Sequence, residues 1–124
     1  MHFRPATLDD ATEVARVLAA AAHKLVQRGT PLWTLDEVSV ATVSPHVDEG
    51  MYHLGIGDDG QIVGVFRLQP SDPVFWPDVS DGATVYLHKL AVHPDRQGQG
   101  AAHALLAHAV DLVRASGAQF LRLD

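Results

Sequence analysis

The stretch Tyr86-Leu87-His88-Lys89-Leu90-Ala91-Val92-His93-Pro94-Asp95-Arg96-Gln97-Gly98-Gln99-Gly100-Ala101-Ala102-His103-Ala104-Leu105-Leu106 decides how the rest of this 124-residue chain is read. Leu87, Leu90 and Val92 mark a strand. His93-Pro94-Asp95 breaks it, because proline cannot donate to a sheet ladder and turns the preceding residue away from helix. Gln97-Gly98-Gln99-Gly100 follows, and Ala101 to Ser116 reads as a helix. A strand, a glycine-bearing turn and a helix together make an anion-binding device. The first helical turn leaves backbone N–H groups without partners, the aligned peptide dipoles make that end partly positive, and glycines let a phosphate come close.

Two common phosphate devices fit badly. A P-loop needs a lysine and a Ser/Thr after its last glycine, and none follows Gly100. A dinucleotide fold needs Gly-x-Gly-x-x-Gly in an early strand-helix unit, whereas His103 stands three after Gly100 and the turn lies late in the chain. Gln97-Gly98-Gln99-Gly100-Ala101-Ala102 instead resembles the Gln/Arg-x-x-Gly-x-Gly/Ala signature of the GCN5-related N-acetyltransferases (the GNAT family). The likeness extends back through LHKLAVHPD, similar to that family's fourth strand, and forward through HALLAHAVDLV, similar to its cofactor helix.

The length suits one domain over 1–124. With no cysteine there is no disulfide framework, thiolate nucleophile or cysteine-bearing zinc site. MHFRPATLDD is not a signal peptide, and no window approaches a membrane span, so a cytoplasmic protein with no membrane partner is expected. A formal net charge of -6 argues against nucleic acid as a partner. Lys89 and Arg96, with His88 and His93, nevertheless gather cations near the turn. Lys89 by itself reads as an ordinary solvated charge. Of the eight histidines, no pair has His-x-x-x-His spacing, and no metal site is expected.

His2–Pro5 reads as a first strand, and Ala11–Arg28 as a helix with Val14, Val17, Leu18, Ala21, Ala22 and Leu25 on one face. Thr34-Leu35-Asp36-Glu37 has capping-box spacing and predicts the start of a second helix, which Ser44-Pro45 should interrupt. Met51–Gly57 and Gln61–Gln69 read as strands joined by Asp58-Asp59-Gly60, a strong hairpin signal. Gly55-Ile56-Gly57-Asp58-Asp59-Gly60 matches Gly-x-Gly-x-x-Gly literally, but a β-branched, alternating segment follows it rather than a helix, so these glycines read as hairpin chemistry. Gln69–Gly82 reads as a loop whose Phe75 and Trp76 either lid the core or wall a pocket. Ala83–Val92 and Gln119–Leu123 complete the order β-α-α-β-β-β-α-β.

The resemblance implies an α+β fold, with helices on both faces of a mixed, mostly antiparallel sheet, and acetyl-CoA (coenzyme A) as cofactor. Its pyrophosphate would lie on the backbone N–H groups of Gln97, Gly98, Gln99, Gly100, Ala101 and Ala102, with Arg96 adding a charge-assisted bond. The pantetheine arm would pair with the main chain of Leu90, Ala91 and Val92, where one N–H would polarise the thioester carbonyl. The two helices near the start would cover the acceptor side, with Trp33, Trp76 and Tyr86 as candidate contacts to the amine substrate. His88 is the candidate base, against the alternative of a structural histidine; a water relay to Glu37 is equally open, and Tyr86 is a poor base at neutral pH. The implied activity is acetyl transfer to a primary amine of a small molecule or a peptide N-terminus. A non-catalytic acyl-CoA-binding or assembly module is the alternative. In the family a further helix and strands follow the strand that Gln119–Leu123 begins. These residues alone are therefore expected not to behave as a stable monomer, but to form a homodimer or pair through that edge, to swap elements, or to be a piece of a longer chain.

Overall fold

A computed structural model describes residues 1–70 and 83–123. Its elements run β1 (His2–Pro5), α1 (Ala11–Gln27), α2 (Val40–Asp48), β2 (Tyr52–Ile56), β3 (Ile62–Gln69), β4 (Thr84–Val92), α3 (Ala101–Ala115) and β5 (Phe120–Leu123). The expected order is observed. The strands form one sheet in the order β1-β2-β3-β4-β5, antiparallel as far as β4, with β5 parallel to β4. One face of the sheet packs on α1 and α2 through Val14, Leu18, Val43, Val47, Tyr52, Leu54 and Val65. The other packs on α3 through Phe66, Leu87, Val92, Leu105 and Ala109. The α+β, helix-sheet-helix expectation holds.

Helix α3 comes close to the sheet because two glycines make room for it. Gly55 and Gly64 are directly paired across β2 and β3. A Cβ on Gly64 would stand 2.5 Å from Leu105 Cδ1 and 2.7 Å from the Ala91 carbonyl oxygen, and one on Gly55 would stand 3.0 Å from Leu105 Cδ2. Fully buried Leu105 thus seats on a spot that no side chain could share. The 55–60 glycine run is a hairpin, as its sequence suggests. Gly57 N–H donates to the Gln61 carbonyl at 2.9 Å, and Gly60 takes the left-handed φ of 79° that the turn requires.

Two expectations about α2 need correction. The Thr34–Glu37 capping pair does form, with Glu37 N–H donating to Thr34 Oγ1 at 3.2 Å, but it closes a turn. The helix begins at Val40, where the Ser39 hydroxyl accepts from Thr42 N–H at 3.2 Å. Pro45 does not interrupt α2 but lies within it. It removes a single helical donor, and the ladder resumes with Glu49 N–H donating to the Pro45 carbonyl at 3.1 Å.

Candidate active site

Strand β4 carries an irregularity that organises the site. Val65 pairs with Ala91 but Arg67 pairs with His88, so one extra residue is accommodated in β4 opposite Phe66. Lys89, in this bulge, is the non-glycine residue with left-handed φ, at 56°, among the described residues. The bulge changes which face each residue serves. Tyr86 and His88 lie on the α1/α2 face, as does Ala91, whereas Leu87, Leu90 and Val92 pack on the α3 face. Tyr86 and His88 are buried, with their rings stacked at 6.5 Å.

The described part of β5 pairs in parallel with β4, Thr84 to Leu87 opposite Phe120 to Leu123. Past the bulge, the C-terminal end of β4 borders a groove of about 490 Å³ lined by Leu90, Val92, Gln97, Gly98, Gly100, Ala101, Ala102 and His103. Seven of the ten residues expected to hold the cofactor are therefore brought together around one groove. The main chain makes this possible. His93 Nδ1 accepts from Asp95 N–H at 3.2 Å and caps the short turn Pro94–Arg96. Gly98 and Gly100 then take φ of 81° and 80°, and no atom lies within 4 Å of where a side chain on either would begin. Gly100 is the N-cap of α3, so the unpaired N–H groups of that helix start at the groove.

The other three behave differently. Ala91 is buried with its methyl in the α1/α2 core, which leaves only its peptide for a ligand. Gln99 and Arg96 line a second cavity of about 520 Å³ on the hairpin side of the turn, which shares Gly100 and Ala101 with the first. The Arg96 guanidinium is ion-paired with Asp59 of the hairpin, and Asp59 is held below the usual carboxylate range by the Gln61 N–H and by Arg96. Gln97 also does more than line the groove. Its amide donates to the Val92 carbonyl at 3.3 Å and accepts from Lys24 Nζ of α1 at 2.8 Å, fastening the strand end to that helix.

On the α1/α2 face, Lys89 is not an ordinary solvated charge. Its ammonium lies 3.3 Å from Glu37 Oε2 and 5.5 Å from the centre of the Trp33 ring, with a side chain only 14% exposed. Trp33 itself packs on the core. Glu37 is held below the usual range, first by the Thr34 N–H and then by Lys89, which makes it a weak proton acceptor. Trp76, like Phe75, lies outside the described residues.

Sequence reading missed two residues here. Arg67 sits directly between Tyr52 and His88 in the strand register, and its Nη1 lies 3.2 Å from His46 Nδ1 of α2. Their signals were present. Arg67 shares strand phase with buried Val65, and His46 shares the α2 face of Val43.

A search of curated proteins returned no match. Solved structures do match. A GNAT-family acetyltransferase from Listeria monocytogenes superposes with a TM-score of 0.84 at 18% identity, over 98% of this chain and 74% of that one. One from Brucella melitensis, in complex with acetyl-CoA, gives 0.70 at 22%, over 98% and 73%. A Mycobacterium tuberculosis protein in complex with CoA gives 0.67 at 20% over 99% of this chain, which spans 62% of that protein. The profile of the acetyltransferase (GNAT) family matches residues 16–124, most of the chain, and the chain belongs to that family.

Proposed function

We propose that this chain, acting as one domain over residues 1–124, transfers an acetyl group from acetyl-CoA to a primary amine of a small molecule or peptide N-terminus. The observation that carries the reading is the groove beside the C-terminal end of β4, which runs into the two left-handed glycines at the start of α3. The fit is specific: the positions that would crowd a phosphate carry no side chain, and the helix N–H groups open there. The N–H groups from Gln97 to Ala102 hold the pyrophosphate, and Arg96, shared with Asp59, adds a cation on the hairpin side. The peptides of Leu90, Ala91 and Val92 align the pantetheine arm, one N–H facing the acyl oxygen. When bound, acetyl-CoA supplies the activated carbonyl.

The acceptor approaches from the face that carries Trp33, Tyr86 and His88, and Trp76 is assigned to it from sequence. Holding the two substrates together supplies much of the rate, and the remaining task is removing a proton from the ammonium. His88, buried on the strand just before the bulge, is the base we assign. A thermal-shift screen with acetyl-CoA, CoA and NAD tests the cofactor, with stabilisation by the first two alone expected. Thiol release across an amine panel then tests transfer. Stabilisation without release from any amine would leave a binding module.

A further inference from the structure

Lys24 owes its place to the apolar stripe of α1. It stands three residues after Ala21 and seven after Val17, so it shares their side of the helix. Both are buried in the core that includes Ala91 of β4. Helix α1 also packs against the Pro94–Arg96 turn. Lys24 is half-buried, and its ammonium donates to Gln97 Oε1 at 2.8 Å. Gln97 Nε2 in turn donates to the Val92 carbonyl at 3.3 Å. His93 N–H donates to the Val63 carbonyl at 2.8 Å, so by strand alternation the Val92 peptide groups point away from β3. There the Gln97 amide meets one of them. One side chain thus ties together α1, the last residue of β4 and the start of the glycine turn.

The turn has few other supports. Gln97, Gly98, Gln99 and Gly100 are exposed, and nothing lies within 4 Å of where a side chain on either glycine would begin. Such a turn presents N–H groups well but gets little packing to fix them. On its hairpin side Arg96 is held by Asp59, and on its α1 side Gln97 is held by Lys24. We infer that Lys24 is a positioning residue for acetyl-CoA: acting through Gln97, it keeps the N–H groups of the turn in register with the end of β4, so that one cofactor meets both. This rests on the proposed cofactor site and adds a residue to it. The chemistry lies in the two-sided amide. An ammonium only donates, so it selects the amide oxygen and leaves the NH₂ for the Val92 carbonyl. Without it the amide is free to turn over and set oxygen against oxygen, which breaks the tie to β4.

The test measures Kd for acetyl-CoA by titration calorimetry, beside the melting temperature without ligand. The proteins are wild type, Lys24→Met, Lys24→Arg, Gln97→Leu and the double variant Lys24→Met with Gln97→Leu. Lys24→Met should weaken binding about three- to tenfold, with the melting temperature little changed. Lys24→Arg, which keeps a donor for the amide oxygen, should recover most of that loss. The double variant should bind as weakly as Gln97→Leu alone, because the two residues act as one unit. Unchanged affinity in Lys24→Met or in Gln97→Leu would overturn the inference, as would a loss that Lys24→Arg does not recover. Losses that multiply in the double variant would also overturn it, by putting the ammonium on the phosphate itself. A wild-type protein that binds no acetyl-CoA would remove the cofactor site, and this inference with it.

Discussion

Lys89 Nζ lies 3.3 Å from Glu37 Oε2, tying the left-handed residue of the β4 bulge to the loop between α1 and α2. The pair lies on the α1/α2 side of the sheet, and its two ends serve different purposes. Glu37 and the Trp33 ring hold the side chain, while the backbone of Lys89 bears the strain.

That division can be measured. Lys89→Ala removes the ion pair and keeps a Cβ at φ 56°, whereas Lys89→Gly removes the pair and relieves the strain. The glycine variant should be the more stable of the two by about 1 kcal/mol in urea unfolding. Equal midpoints would mean the bulge relaxes in the variants.

Gly100→Asp should abolish binding of acetyl-CoA while the protein still melts cooperatively, at some cost in stability for a side chain at φ 80°, because it sets a carboxylate beside the helix N–H groups assigned to the pyrophosphate. Titration calorimetry beside circular dichroism separates the two effects. Gly57→Ala is the contrast. Its methyl would meet Val63 Cγ2 at 3.2 Å and press on Asp59 and Arg96, so stability should fall while affinity changes by less than about tenfold, roughly 1.4 kcal/mol. A larger loss of affinity would give Arg96 a greater share of the phosphate than assigned.

His88→Ala should lower turnover by roughly 10²–10⁴-fold with little change in cofactor affinity. Steady-state kinetics with acetyl-CoA binding measured separately would show it. Unchanged turnover would return His88 to a packing role and leave a water relay, although Glu37 is a poor terminus for one.

Gly64→Ala should destabilise the protein by about 1–3 kcal/mol or more, since its methyl would run into the Ala91 backbone as well as Leu105. Leu105→Ala should cost about 2–5 kcal/mol by leaving the glycine spot empty. The double variant should recover part of the loss if Leu105, rather than the Ala91 carbonyl, is the harder obstacle.

Acid should weaken the fold in two windows. His46 and His53 both lie below the ordinary 6.5, chiefly through burial, with Arg67 acting on the first and His108 on the second. The unfolded chain therefore takes up these protons first, so stability is full above about pH 6.5 and falls as pH drops below it. Asp10, lowered to about 2 from 3.8 mainly by its bond to Arg4, contributes above about pH 4, and that contribution is lost as pH falls through about 2. Urea midpoints at about pH 7.5, 5 and 3 would trace both, and a flat profile to pH 5 would show that the two imidazoles protonate freely in the fold.

The order of elements was legible because each carries a local signal. Asp58-Asp59-Gly60 turns, Gln97 to Gly100 opens a helix, and α1 repeats its apolar residues at helical spacing. The start of α2 was not legible, because Thr34 and Ser39 both offer a cap and only packing of Val43 and Val47 decides between them. In the site, the glycine turn was readable, since what it needs is the absence of side chains. Arg67 and His46 offered only their strand and helix phase, because their partners come from other elements, and Lys89 looked solvated because Glu37 lies 52 residues away in sequence.

The bulge in β4 has a consequence for how this strand tolerates change. Its two halves are out of phase, so Tyr86 answers to the α1/α2 face and Val92 to the α3 face. Substitutions at these two positions should be additive in free energy, as for independent sites. Deleting Lys89 would leave strict alternation with every side chain on the face it now serves, Tyr86, His88 and Ala91 on one and Leu87, Leu90 and Val92 on the other. What would exchange the faces of Leu90, Ala91 and Val92 is keeping Lys89 and pairing it as an ordinary strand residue, so the left-handed backbone of that one residue sets which side of the sheet the end of β4 serves.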